Sequence, residues 1–257
     1  MWPGLKHANN LIGVLILLLA IGYNILRARQ GRKMFIRRLA GLQAVEEAVG
    51  RATEMGKPIL YLPGMLDVDQ PSTLAALSIL GHVSRKAAEY DTPILVPCRF
   101  AVTMSTAQEV VREAHLSAGR PDSFNRDNVR YITEDQFGYV ASVDGTMLRE
   151  RPAANFFMGY YYAESLVLAE TGHSTGAIQI AGTDATPQLP FFVAACDYTL
   201  IGEELYAASA YLSQDPQQVG SLKGQDFGKF LIMVIMLVCS LLFSFHVDIV
   251  KAWFKIG

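Results

Sequence analysis

The chain has 257 residues, of which 51% are hydrophobic and 18% are charged, and 22 Lys and Arg residues against 24 Asp and Glu residues give a net charge of −2. This nearly neutral balance excludes the strongly basic composition of many nucleic-acid-binding proteins. The three cysteines, Cys98, Cys196 and Cys239, are too widely separated for a disulfide framework or a Cys-x-x-Cys metal site. They are interpreted as small hydrophobic residues in a reducing compartment.

The first element is an uncharged apolar run at residues 11–26. A helix of about 20 apolar residues crosses a bilayer, so a transmembrane helix is predicted at residues 11–28 after a short external segment at residues 1–10. The alternative is a cleavable signal peptide. The run has no basic segment before it and no small-x-small cleavage site after it, which favours a retained anchor.

A basic cluster follows this run, and residues 29–56 are interpreted as a juxtamembrane segment with a lead-in helix over residues 39–55. The cluster contains six cations: Arg27, Arg29, Arg32, Lys33, Arg37 and Arg38. Such an excess is typical of a cytoplasmic flank. Contact with anionic lipid is compatible with this orientation, whereas binding of nucleic acid is not expected.

Residues 57–214 alternate between short apolar strands and helical patterns, which predicts one cytoplasmic α/β domain. Strands are predicted at residues 58–62, 93–98, 129–132, 154–158, 177–181 and 198–201. Helices are predicted at residues 72–90, 105–118, 134–149, 161–170, 186–195 and 203–212. Thr133 with Gln136 forms a capping-box pattern, and Gly172 is placed at a helix end. The alternation indicates a Rossmann-like, doubly wound, mainly parallel sheet.

A second uncharged apolar run occupies residues 230–245. It predicts a transmembrane helix at residues 229–250, preceded by a linker at residues 215–228 and followed by an external C-terminus at residues 251–257. With two spans, both termini lie outside and the central domain lies inside. The sequence therefore predicts a two-span protein of the cell (inner, cytoplasmic) membrane.

Acidic residues recur after the predicted strands, where the carboxyl ends of a parallel sheet hold ligands. The candidate ligand-binding residues are Asp67, Asp69, Glu164, Asp184 and Glu203, with Glu134, Asp135 and Glu204 nearby in the same loops. Such oxygen-rich edges hold Mg²⁺ or Ca²⁺, and crowded carboxylates act in acid/base catalysis. The alternative is helix capping, because acidic residues favour the first turn of any helix.

Motifs that would name a reaction are absent from the sequence. There is no Gly-x-Gly-x-x-Gly, no phosphate-binding Gly-x-x-x-x-Gly-Lys motif, no His/Cys zinc spacing and no Gly-x-Ser-x-Gly elbow. No cofactor, metal ligand or catalytic residue is therefore assigned, and a non-enzymatic role is favoured while enzymatic activity stays open.

Two segments, residues 156–162 and 189–193, are rich in aromatic side chains. These side chains belong to the core or to a protein–protein surface. Four small residues share one side of the helix predicted at residues 134–149 and would permit close approach of another element: Gly138, Ala141, Ser142 and Gly145. Packing within the domain is the alternative.

Five stretches of the chain resemble an uncharacterised prokaryotic family of membrane-tethered α/β domains of unknown function. They are residues 163–172, 176–184, 188–198, 201–205 and 220–226. The resemblance runs from about Arg37 into the second apolar run. It implies the membrane-tethered architecture and carries over no catalytic residue.

These observations favour a membrane-anchored structural or scaffold protein whose cytoplasmic domain self-associates into a homo-oligomer. The lipid bilayer is then its first partner. Two alternatives stay open. One is a ligand- or metal-dependent enzyme or binding module at the acidic edge, and the other is an accessory subunit of a larger membrane complex.

Overall fold

A computed structural model describes residues 8–30 and 40–244 of the chain. The chain divides into two compact units. Residues 1–35 and 214–257 form one, here called the helical unit, and residues 36–213 form the other, the α/β domain. Four of the six basic residues, Arg32, Lys33, Arg37 and Arg38, lie outside the described residues. Residues 1–7 and 251–257 of the predicted external ends do so as well.

The α/β domain contains the six strands that the sequence predicts. They are β1 (Ile59–Leu62), β2 (Ile94–Cys98), β3 (Val129–Tyr131), β4 (Ala154–Met158), β5 (Ile178–Thr183) and β6 (Tyr198–Ile201). Its helices are α2 (Ala40–Met55), α3 (Pro71–Glu89), α4 (Ala101–Ser117), α5 (Gln136–Glu150), α6 (Glu164–Ser174), α7 (Leu189–Ala195) and α8 (Glu204–Ser213).

All six strands form one sheet in the order β3-β2-β1-β4-β5-β6. Every neighbouring pair is parallel, so the predicted parallel α/β sheet is confirmed. This order is that of doubly wound dinucleotide-binding folds, in which the winding direction reverses between β1 and β4.

The sheet is covered on both faces, which explains why its central strands β1 and β4 are buried at every position. One core lies beneath α2, α3, α4 and α8, and the other lies beneath α5, α6 and α7. Successive strand residues point to opposite faces. In β4, Phe156 therefore stacks on Tyr61 at 5.8 Å in the first core, while Phe157 stacks on Phe192 at 5.7 Å in the second.

Two local predictions are wrong. Asp135, rather than Thr133, caps α5, because its carboxylate accepts a hydrogen bond from the Gly138 amide at 2.9 Å while the Thr133 hydroxyl accepts one from the Asp135 amide. Helix α6 also continues past Gly172 to Ser174. Gly172 faces the sheet, where a Cβ would lie 2.1 Å from the side-chain oxygen of Gln179. This glycine allows close helix–sheet packing and does not end the helix.

The helical unit consists of α1 (Ala8–Arg29) and α9 (Pro216–Ser244). Residues 216–228, which the sequence suggests as a linker, are helical and continuous with the apolar run. Within the described residues, one helix, Pro216–Leu242, is long and apolar enough to cross a membrane.

Three glycines of α9, spaced four residues apart, lie directly against α1. A Cβ on Gly220 would lie 2.5 Å from the Cα of Ile25, and one on Gly224 would lie 2.7 Å from the Cα of Ile21. A Cβ on Gly228 would lie 2.5 Å from the side chain of Leu17. Because the contacts run in opposite directions along the two helices, the pair is antiparallel. Small residues of this kind allow helix backbones to approach closely.

Candidate functional site

The carboxyl edge of the sheet is the place where an open α/β fold binds ligands, above all where the strand order reverses. In this chain that position lies between the loops that follow β1 and β4. The two loops are in direct backbone contact. The Met65 amide donates to the Tyr160 carbonyl at 2.8 Å, and Gly64 and Gly159 have positive φ angles of 92° and 115°. A Cβ on Gly159 would lie 2.7 Å from the Pro63 carbonyl oxygen. The loops after β1 and β4 therefore pack against each other at the point where the strand order reverses.

Arg99, directly after β2, connects three loops of the same edge. Its Nε donates to the Glu134 carbonyl at 2.9 Å, and its Nη1 donates to the Met65 carbonyl at 2.9 Å. The guanidinium also lies 5.2 Å from the centre of the Phe100 ring. Arginine supplies several donors in a rigid plane, so one side chain holds the loops after β1, β2 and β3 together.

The first candidate carboxylates, Asp67 and Asp69, follow β1 and bind groups close to them. Asp67 Oδ1 accepts hydrogen bonds from the Val68 amide and from the Thr103 hydroxyl, both at 2.8 Å. Asp69 is exposed and accepts one from the Gln70 side chain at 3.0 Å. Asp67 thereby joins the loop after β1 to the first turn of α4.

Glu164 is buried at the start of α6. One carboxylate oxygen accepts from the Tyr162 amide at 2.7 Å, and the other accepts from the side-chain amide of Gln136 at the start of α5. The amino end of a helix favours a negative charge. The arrangement fixes the first turns of α5 and α6 to one another.

The last candidates follow β5 and β6. Asp184 Oδ2 accepts a hydrogen bond from the Tyr206 hydroxyl at 2.5 Å, while its buried Oδ1 makes no hydrogen bond within the described part of the chain. Burial, and then the neighbouring Asp184, raise the pKa of Tyr206. Glu203 is exposed, and the Glu204 carboxylate accepts from the Ile201 amide at 3.0 Å.

The five candidates are therefore placed along one edge. In the part of the chain that the structure describes, Asp67, Asp69, Glu164 and Asp184 bind amides and hydroxyl groups, and not one another. Among residues 8–30 and 40–244, no group of three or more His, Cys, Asp and Glu residues is arranged to hold a metal ion. The hydrogen bonds of Asp67, Glu164 and Asp184 join the starts of helices and the loops. Binding of a ligand by these residues stays a prediction.

Sequence reasoning did not single out Arg99 and Tyr206, and it named Gln136 only as the partner of Thr133 in a capping box, although all three hold the carboxyl edge together. Arg99 had a signal, since it is the first residue after a buried strand and carries the only charge in that loop up to Met104. The contacts of Gln136 with Glu164 and of Tyr206 with Asp184 had no signal, because the partners are distant in sequence.

The outer side of α5 carries exposed apolar side chains, with one cation at its end: Arg149 is exposed, and its Nη1 lies 3.1 Å from the position of a Cβ on Gly145. The outer side presents Phe137, Ala141, Gly145 and Leu148, spaced at intervals of four, four and three residues along one side of the helix. Phe137 is 74% exposed and Leu148 is 57% exposed. The small residues predicted to permit close approach therefore lie at the surface: Gly138 and Ala141 are exposed, and Ser142 and Gly145 are half-buried.

The aromatic segments are mainly core. Phe156, Phe157, Tyr161 and Phe192 are fully buried. Tyr162 is exposed and contacts the Tyr160 ring edge-on at 5.1 Å. Since Tyr162 is held by Glu164, which also binds Gln136, these two tyrosines lie near the beginning of the α5 face.

Asp144 of α5 is half-buried, and ionisation of its carboxyl group is unfavourable there. Burial raises the pKa of Asp144 more strongly than the hydrogen bond with Thr171 lowers it, and its Oδ1 is buried without a hydrogen bond in the part of the chain that the structure describes. A raised pKa in the folded state means that the charged form costs stability above that pKa, and that this cost vanishes below the unfolded value of about 4.

We therefore expect Asp144→Asn to unfold at a higher temperature than the wild type at neutral pH. The difference should shrink as the pH falls towards about 4, where the wild-type carboxyl group becomes protonated in both the folded and the unfolded protein. Thermal unfolding of both proteins across this pH range measures the effect. Glu113→Gln, which removes an exposed carboxylate from α4, is the control and should show no such trend. A constant difference at all pH values would contradict the explanation.

Comparison with known proteins identifies the family. The chain matches the family described as Domain of unknown function (DUF6754) over residues 1–254, and it belongs to that family. No curated protein and no solved structure shows significant similarity to it. The resemblance to an uncharacterised domain family is thus confirmed, and the match also includes the residues before Arg37.

Proposed function

We propose that this DUF6754 protein is a membrane-anchored scaffold whose α/β domain self-associates beneath the bilayer. The observation that carries the proposal is the outer face of α5, which places exposed Phe137 and Leu148 on either side of small residues, with the Arg149 guanidinium beside Gly145. Exposed apolar patches mark protein–protein interaction sites, and this proposal assigns the α5 face to a second copy of the chain.

Two spans anchor the domain in this proposal. Large apolar side chains are exposed along both helices of the helical unit, with Leu19 of α1 at 72% and Met236 of α9 at 67%. Lipid tails satisfy such surfaces, and the glycine contact holds the two helices together. Because the pair is antiparallel, the chain leaves it and re-enters it at the same end.

The domain lies on the cytoplasmic side of the cell membrane, and both termini lie outside. Arg27 and Arg29, in the last turn of α1, support this orientation because cytoplasmic flanks are rich in basic residues. Carbonate washing of vesicles should leave the chain in the membrane, and protease added outside intact cells should spare the domain. Extraction by carbonate, or digestion of the domain from outside, would contradict the topology.

Confinement to a membrane plane makes a modest contact sufficient for assembly. Two anchored domains meet at a high effective concentration, so a face of a few residues is enough to form an oligomer. Burial of one leucine or phenylalanine side chain is worth roughly 1.5–3 kcal/mol, which is about tenfold or more in the dissociation constant.

We expect Leu148→Ser and Phe137→Ser, each in the full chain, to shift the particle in mild detergent towards the monomer. Leu116→Ser is the matched control. Leu116 is 52% exposed and lies on α4, a helix that packs on the opposite face of the sheet from α5. Light scattering across a dilution series measures the mass. Identical dissociation of all three variants and the wild type would contradict assembly through α5, and co-purifying unlike chains would replace self-association with a role as an accessory subunit.

A second candidate function, a ligand- or metal-dependent binding module or enzyme, is favoured by the unpaired Oδ1 of Asp184 at the carboxyl edge. A ligand at a hundredfold excess over its dissociation constant stabilises the folded state by about 2.7 kcal/mol. Thermal unfolding with Mg²⁺, Ca²⁺, Mn²⁺ and nucleotides tests this candidate. Stabilisation that Asp184→Asn abolishes would support it, and no stabilisation by any of them would reject it.

A further inference from the structure

A cavity of about 260 Å³ lies at the amino edge of the sheet, opposite the carboxyl edge. It is formed where α3 ends, β2 begins and α4 ends, and the segment of residues 123–128 closes one side. The volume is below the roughly 300–1,000 Å³ of drug-sized pockets and equals that of about eight water molecules. A ligand of this cavity is therefore small.

His115 is the most deeply buried polar side chain of the cavity wall, at 5% exposure. Its Nδ1 lies 2.8 Å from the Val111 carbonyl, which requires a proton on Nδ1. The neutral ring then presents Nε2 as an acceptor. Within the described residues Nε2 makes no hydrogen bond, and the Phe124 ring holds the imidazole edge-on at 5.8 Å.

Two further polar side chains of the wall are also unengaged. The Asp91 carboxylate and the Asn128 side-chain amide form no hydrogen bond or ion pair with any residue that the structure describes. The rest of the lining includes Ile94, Val111 and Phe124, which are apolar. The cavity thus combines one negative charge and one imidazole acceptor with an apolar wall.

We propose that this cavity binds a small aliphatic amine. The ammonium group donates to the Asp91 carboxylate and to His115 Nε2, and its hydrocarbon part packs against Ile94, Val111 and Phe124. The Asp91 carboxylate attracts a cation and repels an anion. A neutral alcohol of the same shape retains the apolar contact and loses the ionic one.

Three ligands of one shape test the proposal: butylamine, butanol and butyrate, each titrated into the full-length protein in mild detergent. Methyl NMR signals of Ile94 and Val111 report occupancy of this cavity directly. We expect a saturable shift with butylamine at millimolar concentration, a weaker one with butanol and none with butyrate. Absence of a saturable shift up to roughly 10 mM butylamine, or equal responses to all three ligands, would overturn the proposal.

Asp91→Asn removes the charge and keeps the shape. Asp91 has a φ of 57°, a conformation that asparagine also adopts, so the fold should be retained. Because Asp91 is exposed, its loss should weaken butylamine binding by only about threefold, without changing the response to butanol. Asp122→Asn, at an exposed carboxylate outside the cavity lining, is the matched control and should bind as the wild type does. Equal affinities of the two variants would count against the ionic contact.

Discussion

Replacing Gly159 by alanine is expected to lower the free energy of unfolding of the α/β domain by about 3–5 kcal/mol. A φ of 115° is almost restricted to glycine, and the new Cβ would lie 2.7 Å from the Pro63 carbonyl oxygen and 3.2 Å from the Cα of Gly64. Both neighbours are backbone atoms, so they cannot rotate away. The loops after β1 and β4 would have to separate where the strand order reverses.

Gly119→Ala separates the two causes of this effect. Gly119 also has a positive φ, 72°, but nothing lies within 4 Å of a Cβ added there. It should cost about 1 kcal/mol for the backbone conformation alone. Denaturant unfolding of both variants, followed by circular dichroism, gives the comparison. Equal losses at the two positions would show that the loop contact contributes nothing.

Replacing Gly224 by leucine is expected to separate α9 from α1 and to cost the helical unit about 3 kcal/mol. A Cβ at Gly224 would lie 2.7 Å from the Cα of Ile21, so even the first atom of the new side chain requires the backbones to move apart. The distance between spin labels on Leu18 and Phe230, both exposed, should lengthen and its distribution should broaden. Cys196 and Cys239, which are partly exposed, are replaced by serine in this experiment, and Cys98 is buried, so that the label reacts with the two introduced cysteines.

Gly13→Leu is the matched control for this substitution. It makes the same change in the same helical unit, but nothing lies within 4 Å of the Cβ position of Gly13. The label distance should stay that of the parent protein. An unchanged distance in Gly224→Leu as well would contradict the glycine contact.

The sheet was predictable because its signals are local. Six short apolar runs separated by amphipathic segments have few arrangements that cover every strand, and a parallel sheet with helices on both faces is the commonest of them. The run at residues 154–158 lies at the centre of the sheet as β4, where both faces are buried. That is why it shows no alternation of polar and apolar residues.

The glycines were not predictable in the same way. Gly172 looked like a helix end, and its role depends on the position of Gln179 beneath it. Gly220 and Gly224 belong to a stretch that carries the family resemblance, but they contact Ile25 and Ile21 of α1, which are 195 and 203 positions away in the sequence. The role of a glycine can be assigned only when the neighbour that packs against it is known.

The candidate site shows the same difference. The sequence located the acids of the carboxyl edge because they directly follow predicted strands. It could not show whether their partner is a ligand or a neighbouring amide or hydroxyl group. Glu164 and Asp67 have such neighbours, Gln136 and Thr103. For Asp184 Oδ1, no such partner exists within the described residues. Of the acids along this edge, Asp135 caps a helix, whereas Asp67 and Asp184 accept hydrogen bonds from hydroxyl groups of other helices.

Self-association beneath the membrane is tested most directly by the mass of the native particle. Full-length protein is extracted in mild detergent, and its mass is measured by light scattering with the detergent contribution subtracted. Our account predicts a particle that contains several copies of this chain and dissociates when Leu148 is replaced by serine. A particle that contains a single chain at the highest concentration reached would contradict it.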